Sequence, residues 1–409
     1  MKRLVLITND YPFDRGDASF VQHEIAALAA AYDEIHLFNL SAGESVPLVE
    51  LPDNVSYRAN LYRGGIRQRL PALLSLRNLR IVASAWWAEK QAGVLPGNTK
   101  TFLLAALAGA HFAGHPELRA SIRESSAECT VYAFWGMGGA LALPWLPRLQ
   151  GGSFVRLHRY DLYEERAPRG YLPFRRSLFR SVNAVLAISD SARDYIVERY
   201  PDAGLESKVF VSRLGSANPG AVERAVRNDT RTIASCSSLI PVKRVDLILE
   251  AVARVAESGP VNWVHFGDGP LKDELLAKAA ELGGSKLSIR LLGQTSNSDI
   301  LDFYRTNRVD VFVNASESEG VPVSIMEAMS LGIPVVATAV GGTPEIVGRD
   351  LGSGELASED PTAAELADTI LSVLNAPDSR FQARSTWERM CDARVTAART
   401  VGLLRGGRP

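Results

Sequence analysis

Along the chain, short apolar and β-branched runs alternate with longer mixed segments. The first set covers residues 4–8, 34–38, 130–134, 153–157, 184–188 and 208–212. Most of the intervening stretches are long enough for a crossover helix, and that alternation predicts a parallel sheet. A polar stretch at 216–231 interrupts the rhythm, which restarts at 232–236, 262–266, 286–291, 309–313 and 335–338. Two doubly wound α/β domains follow, over 1–215 and 216–380. Residues 381–409 have helical composition with no strand after them, which predicts a C-terminal helix packing across existing surface, with Trp387 as its anchor. In open α/β sheets ligands bind beyond the carboxyl ends of the strands, so the loops after strands are where chemistry is expected.

Composition changes this picture little. The 409 residues suffice for two domains at roughly 100–200 residues each, and 46% hydrophobic with 22% charged residues is the balance of a soluble globular chain. Forty-five Lys and Arg against 46 Asp and Glu leave a formal net charge of −1, so no global field draws the chain to nucleic acid. Residues 1–215 carry 25 basic and 21 acidic side chains and the remainder 20 and 25, a mild asymmetry. Cys129, Cys236 and Cys391 are far apart and without CxxC spacing, which excludes a disulfide framework or a structural zinc site and fits a reducing, cytoplasmic setting. The apolar run at 4–7 is too short for a signal-peptide core. Those around 81–88 and 102–112 fall short of the roughly 20 residues a bilayer span needs.

The most informative segment is 317–338, ESEGVPVSIMEAMSLGIPVVAT, which reads as loop, helix, turn and strand. Pro322 suits the first helical position, Gly332 the stop and Pro334 the block to continuation. The amides of Val323 and Ser324 then lie free at a helix start, where the dipole favours an anion such as a diphosphate. Glu327 follows on the same face as Val323, among Ile325, Met326, Ala328 and Met329, so its carboxylate needs a partner; ribose hydroxyls and a protein donor both qualify. Glu319 precedes it by eight residues and faces the same ligand from the loop.

Glu319 and Glu327, with Ala328, Met329, Gly332 and Pro334 after them, resemble the EX7E signature of retaining glycosyltransferases of family 4, whose fold is GT-B: two Rossmann-like domains facing each other across a cleft. The resemblance implies an acceptor-binding first domain, a nucleotide-sugar-binding second one and a C-terminal helix that returns to the first. Glu327 would bind the ribose of a nucleoside diphosphate sugar, Glu319 hydroxyls of the transferred sugar, and the backbone of Gly320, Val321, Val323 and Ser324 would face sugar and diphosphate. Residues 237–251 are similar to the family's first nucleotide-domain loop, in which an Arg and a Lys neutralise the diphosphate. Lys243 matches the Lys; Ser238 stands where the Arg would be, and Arg244 is a candidate to compensate. Residues 263–275 resemble the GxGP loop, with Gly267 permitting close approach, 289–294 the place where backbone groups receive the base, and 341–347 a further family turn. Lys272 replaces the third glycine of a GxGxxG fingerprint, which argues against a dinucleotide site.

In the first domain, Gly16 in the loop after the first strand could let backbone approach a ligand. His158, at a strand end and followed by Asp161, resembles the family histidine that contacts the donor sugar, with Asp161 orienting the loop. Residues 62–90 hold Arg63, Arg67, Arg69, Arg77, Arg80 and Lys90 among Leu73, Leu74, Leu79, Trp86 and Trp87. Two readings stand: helices packing on the sheet, favoured because Pro71 interrupts the pattern, and a surface meeting anionic lipid or a lipid-linked acceptor at the inner face of a membrane.

The implied reaction is metal-independent, retaining transfer of a hexose from a nucleotide sugar to an acceptor hydroxyl, saccharide or lipid-linked, in the branch that builds bacterial surface polysaccharides. The donor is a substrate, and no cofactor is expected; the absence of a DxD triplet leaves a metal-bridged diphosphate without an evident ligand pair. A sugar-nucleotide 2-epimerase, an NAD-dependent oxidoreductase and a non-enzymatic sugar-nucleotide sensor are the alternatives.

Overall fold

The computed structural model describes residues 1–13, 15–41, 49–62, 75–123, 128–220 and 229–406. It divides into two compact units, the first made of 1–213 with 397–409 and the second of 214–396. Unit 1 holds β1 (Lys2–Ile7), β2 (Glu34–Asn39), β3 (Val55–Asn60), β4 (Glu128–Ala133), β5 (Ser153–Leu157), β6 (Ala184–Ala187) and β7 (Val209–Val211), in the sheet order β3-β2-β1-β4-β5-β6-β7. Unit 2 holds β8 (Arg231–Cys236), β9 (Val261–Phe266), β10 (Leu287–Leu291), β11 (Val311–Asn314), β12 (Val335–Thr338) and β13 (Gly354–Ala357), in the order β10-β9-β8-β11-β12-β13.

Every pairing between these strands is parallel. Helices cover both faces of such sheets, so the central strands read as unbroken apolar runs. Leu4, Val5, Leu6, Val311 and Phe312 are all completely buried. Sheet order reverses between β1 and β4 in unit 1 and between β8 and β11 in unit 2, which opens a crevice at the carboxyl ends of those strands.

The apolar pattern does not reveal β3 and β13, the edge strands. β3 reads VSYRAN with Arg58 exposed, and β13 reads GELA around a glutamate; a strand paired on one side only can carry such residues. The tail also differs from the expectation of one returning helix. Helix Ala383–Met390 belongs to unit 2, where Trp387 is fully buried and its Nε1 donates to Ser216 Oγ at 2.8 Å. The helical run breaks at Cys391 and Asp392, and only from Ala397 onward does helix Ala393–Leu404 belong to unit 1. Of the polar stretch after Gly215, residues 221–228 lie outside the described residues.

The last helix is tied into unit 1 through a buried charge. Arg156 on β5 is fully buried, and its guanidinium donates to both Glu24 oxygens at 3.0 Å, to Ser212 Oγ at 2.8 Å and to Thr400 Oγ1 at 2.7 Å. Removing one partner of such a pair strands the other charge in the interior. Glu24→Ala is therefore expected to cost unit 1 about 3–5 kcal/mol of stability, read as a lowered urea midpoint with little change in m-value.

Candidate functional site

In unit 2, chemistry-bearing side chains gather at the β8/β11 crevice. Asn314 ends β11, and the loop after it carries Glu319 back toward the loop after β8, where Lys243 ends a short turn, Pro241–Lys243. Lys243 Nζ lies 2.5 Å from Glu319 Oε1, and Asn314 Nδ2 reaches the same oxygen at 3.4 Å. Glu319 is only 6% exposed. The two loops are also stitched by backbone, Glu317 N donating to Val242 O at 2.9 Å.

Glycines allow this closeness. Gly341 has φ +54°, and a Cβ there would fall 1.9 Å from Glu319 O; Gly342 N donates to Gly320 O at 2.7 Å, so the 341–342 turn backs the Glu319 loop. At Gly267, φ is +138° and a Cβ would fall 1.9 Å from Ser237 O, which presses the loop after β9 against the loop after β8. Either substitution would displace backbone.

Helix Val323–Ser330 follows Glu319. Its N-cap is Pro322, so the helix starts one residue later than the sequence pattern suggests, and no side chain caps it. The amides of Val323 and Ser324 therefore face outward at the positive end of the helix dipole, next to Gly320 and Val321. Glu327 is half-buried on this helix, flanked by the fully buried Ile325, Met326, Ala328 and Met329. Its partner is neither Lys nor Arg: Asn297 Nδ2 donates to Oε1 at 2.5 Å. Burial without a cation pushes its carboxyl up to about 7.

Arg244 does not take the place of the cation missing at Ser238. Its guanidinium donates to Ala315 O at 2.6 Å, Ser316 O at 3.3 Å, Glu359 O at 2.8 Å and Asp360 Oδ1 at 2.7 Å, so it fastens the β11 loop to residues 359–360. Ser238 is exposed. Lys272 is likewise engaged, at 2.7 Å from Asp268 Oδ2. Gly293, where the base was expected, already accepts Gly267 N through its carbonyl at 2.9 Å.

Unit 1 builds a second cluster at its own β1/β4 crevice. Asp17 is buried and collects the amides of Asn9, Asp10 and Tyr11 at 2.7–2.9 Å, together with Trp135 Nε1 at 2.7 Å. Gly16 lies beside it in the same loop, with φ +56°. His158, at the end of β5, is 6% exposed and packs on the rings of Trp135 and Phe134, with centroids 4.0 and 5.2 Å away. Its Nε2 lies 2.9 Å from Phe134 O; an acceptor there requires the proton on Nε2 and leaves Nδ1 as the acceptor nitrogen. Burial, with the Arg156 guanidinium adding to it, lowers the imidazole to about 3, so the ring is neutral at physiological pH. Asp161 is fully buried and accepts the amides of Gly136 and His158, each at 2.6 Å, which fixes the β4 and β5 loops together.

Asn297, Asn314, Asp17 and Trp135 were not singled out in the sequence. A usable signal existed for Trp135, since FWGMGG directly follows a strand; for Asn297 only the helix-start pattern SNSD pointed to its place. Among the described residues, no three His, Cys, Asp or Glu side chains are grouped so as to hold a metal ion.

With this geometry in hand, comparison with known proteins is decisive for unit 2: residues 222–388 match the family model of glycosyl transferases group 1. The second unit belongs to that family, and the chain has the GT-B fold. The chain is similar in sequence to a phosphatidylinositol N-acetylglucosaminyltransferase polypeptide of Arabidopsis thaliana, 29% identical over 223 residues covering 51% of this chain and 47% of the relative. WcaL of Escherichia coli K12, a glycosyltransferase assigned provisionally by name to colanic acid biosynthesis, is 28% identical over 246 residues, 57% of this chain and 58% of WcaL. The chain thus spans about half the length of the curated relatives it matches. In fold it resembles the lipopolysaccharide outer core galactosyltransferase WaaB, with a TM-score of 0.66 at 14% identity and 99% of each chain covered.

The raised carboxyl of Glu327 generates a test. A group whose folded pKa lies above its unfolded value contributes stability below about 4.5 that is lost as pH rises through about 7. Glu327→Gln of the group 1 domain is therefore expected to gain thermal stability relative to wild type between pH 5 and pH 8.5, and carboxyl NMR of Glu327 should show titration near neutrality.

Proposed function

We propose that the chain is a retaining glycosyltransferase that moves a hexose from a nucleoside diphosphate sugar to an acceptor hydroxyl, in surface polysaccharide or glycoconjugate biosynthesis. The observation that carries this reading is the convergence at one switch point of an ammonium, a nearly buried carboxylate and an uncapped helix start. An ammonium and fixed amides suit the charge that develops on a leaving diphosphate, and they need no reorganisation as it forms. In this reading Lys243 and the amides of Gly320, Val321, Val323 and Ser324 hold the diphosphate. Glu327 exchanges the Asn297 amide for ribose hydroxyls, Glu319 accepts hydroxyls of the transferred sugar, and neutral His158 offers that sugar an acceptor nitrogen. The names of the relatives support the transfer reading, and that of WcaL the surface polysaccharide role.

Glu319 is assigned to the sugar hydroxyls rather than to nucleophilic attack on the anomeric carbon. Glu319→Gln is expected to lose transfer, and intact-mass spectrometry of wild type incubated with donor should find no glycosyl adduct. With Lys243 as counter-ion, activity is expected to survive EDTA. An epimerase would interconvert donor sugars without acceptor. Two facts weigh against an oxidoreductase: the amides after β1 are filled by Asp17, and helix Val245–Val255 after β8 starts on Arg244 with Asp246 in its first turn.

A lipid-linked acceptor is supported by one surface of unit 1. Helix Leu76–Gln91 buries Ala85 and Glu89 but exposes Leu76, Leu79 and Trp87 beside Arg80 and Lys90, and helix Thr99–Gly114, packed on it through Trp86 and Phe102, exposes Lys100, Leu103 and Leu104. Both helices pack on the core of unit 1 through Ala85, Phe102, Ala106 and Phe112, as the packing reading expects, and among the described residues their outer faces expose cations and apolar groups and no acid. Arg63, Arg67, Arg69, Pro71, Leu73 and Leu74 lie outside the described residues. No helix of the described residues is long and apolar enough to cross a membrane.

Calorimetric titration with UDP-, GDP- and ADP-sugars tests the donor assignment. One base should bind wild type, and Glu327→Ala should weaken it at least about tenfold, the scale of a lost charged hydrogen bond; equal binding by the mutant would refute the ribose assignment. Sedimentation with anionic liposomes at low salt should retain wild type and release Trp87→Ser/Lys90→Glu.

A further inference from the structure

Three cations in the donor loops of unit 2 bear on an incoming diphosphate, and two of them are committed to the fold: Arg244 to four acceptors across residues 315–316 and 359–360, and Lys272 to Asp268. Lys243 is the third, and it is already neutralised by Glu319 at 2.5 Å. Glu319 has little freedom to follow Lys243 elsewhere, because its backbone is backed by the Gly341–Gly342 turn and its carboxylate is nearly buried. A diphosphate that takes Lys243 must therefore break this pair. It leaves a nearly buried carboxylate with the Asn314 amide, at 3.4 Å, as its remaining donor among the described residues, and an uncompensated charge in such a place is costly.

We propose that Glu319 is a specificity residue that discriminates the intact sugar nucleotide from the bare nucleoside diphosphate by competing for Lys243; this rests on the nucleotide-sugar reading above. An intact donor brings hydroxyls on the sugar attached to the same diphosphate, and they donate to the carboxylate oxygens that Lys243 vacates. A bare nucleoside diphosphate brings none, and instead sets its terminal phosphate against the carboxylate. The same contact favours departure of the nucleoside diphosphate once the sugar has been transferred. Neither neighbouring position offsets this, since Ser238 is uncharged and Arg244 is held.

The test is calorimetric binding of UDP, GDP and ADP, and of the corresponding glucose nucleotides, to wild type, Glu319→Gln and Lys243→Met. For the base that binds, Glu319→Gln should take the bare diphosphate about tenfold more tightly, the scale of one partly buried ion pair, with no such gain for the intact sugar nucleotide. Lys243→Met should weaken both ligands. Damage to the fold would loosen binding rather than tighten it, and thermal melts of each variant check this independently. Wild-type or weaker affinity of Glu319→Gln for the bare diphosphate, with wild type binding normally, overturns the proposal while leaving the nucleotide site standing. If no nucleotide or sugar nucleotide binds wild type or Glu319→Gln, the nucleotide-site reading falls and this inference falls with it.

Discussion

Parallel pairing is the constraint on which the rest depends. Because each strand in both sheets must be followed by a crossover, the loops leaving the carboxyl ends of the strands emerge on one edge of each sheet, and where strand order reverses the two flanking loops part and leave a crevice. The chain places its unusual side chains at these two points: Asp17, Trp135 and His158 at β1/β4/β5, and Lys243, Glu319 and the start of helix Val323–Ser330 at β8/β11.

The two crevices solve the same problem differently. In unit 1 the amides after β1 are satisfied internally by a carboxylate, so the anion that such a loop would attract is supplied by the protein itself. What remains there is a neutral imidazole on an aromatic floor, a surface suited to hydroxyls and sugar faces. In unit 2 the loop after β8 is closed by backbone bonds and by Arg244, and the open amides are those of the helix after β11. The group 1 domain thus keeps its capacity for an anion on the β11 side of the crevice, with Lys243 reaching across.

Much of this was legible in the sequence. Buried parallel strands must be apolar on both faces, so eleven of the thirteen described strands announced themselves; β3 and β13 did not, because an edge strand tolerates Arg58 or Glu355. The helix start, to within one residue, and the apolar setting of Glu327 followed from Pro322 and the 3.6-residue period. What could not be read were partnerships across long separations. Asn297 meets Glu327 over 30 residues, and Arg244 meets Asp360 over 116, so the sequence could suggest Arg244 as a substitute cation when the fold had already engaged it. The division of the tail was hidden for a similar reason: one helical composition spans two helices, split where Asp392 accepts Arg394 and Asn218, and the second passes from unit 2 into unit 1 at Ala397.

The account stands or falls on whether the β8/β11 crevice is where the nucleotide binds. Amide chemical-shift mapping of the isotopically labelled chain titrated with UDP, GDP and ADP tests this most directly. For one of the three, the account predicts shifts concentrated at Ser237–Lys243, Gly267–Gly269, Gly293–Asn297 and Glu319–Glu327, with the side-chain amide of Asn297 moving as Glu327 changes partner. Shifts confined to the loops after β1, β4 and β5, or no saturable shifts with any of the three, would contradict it.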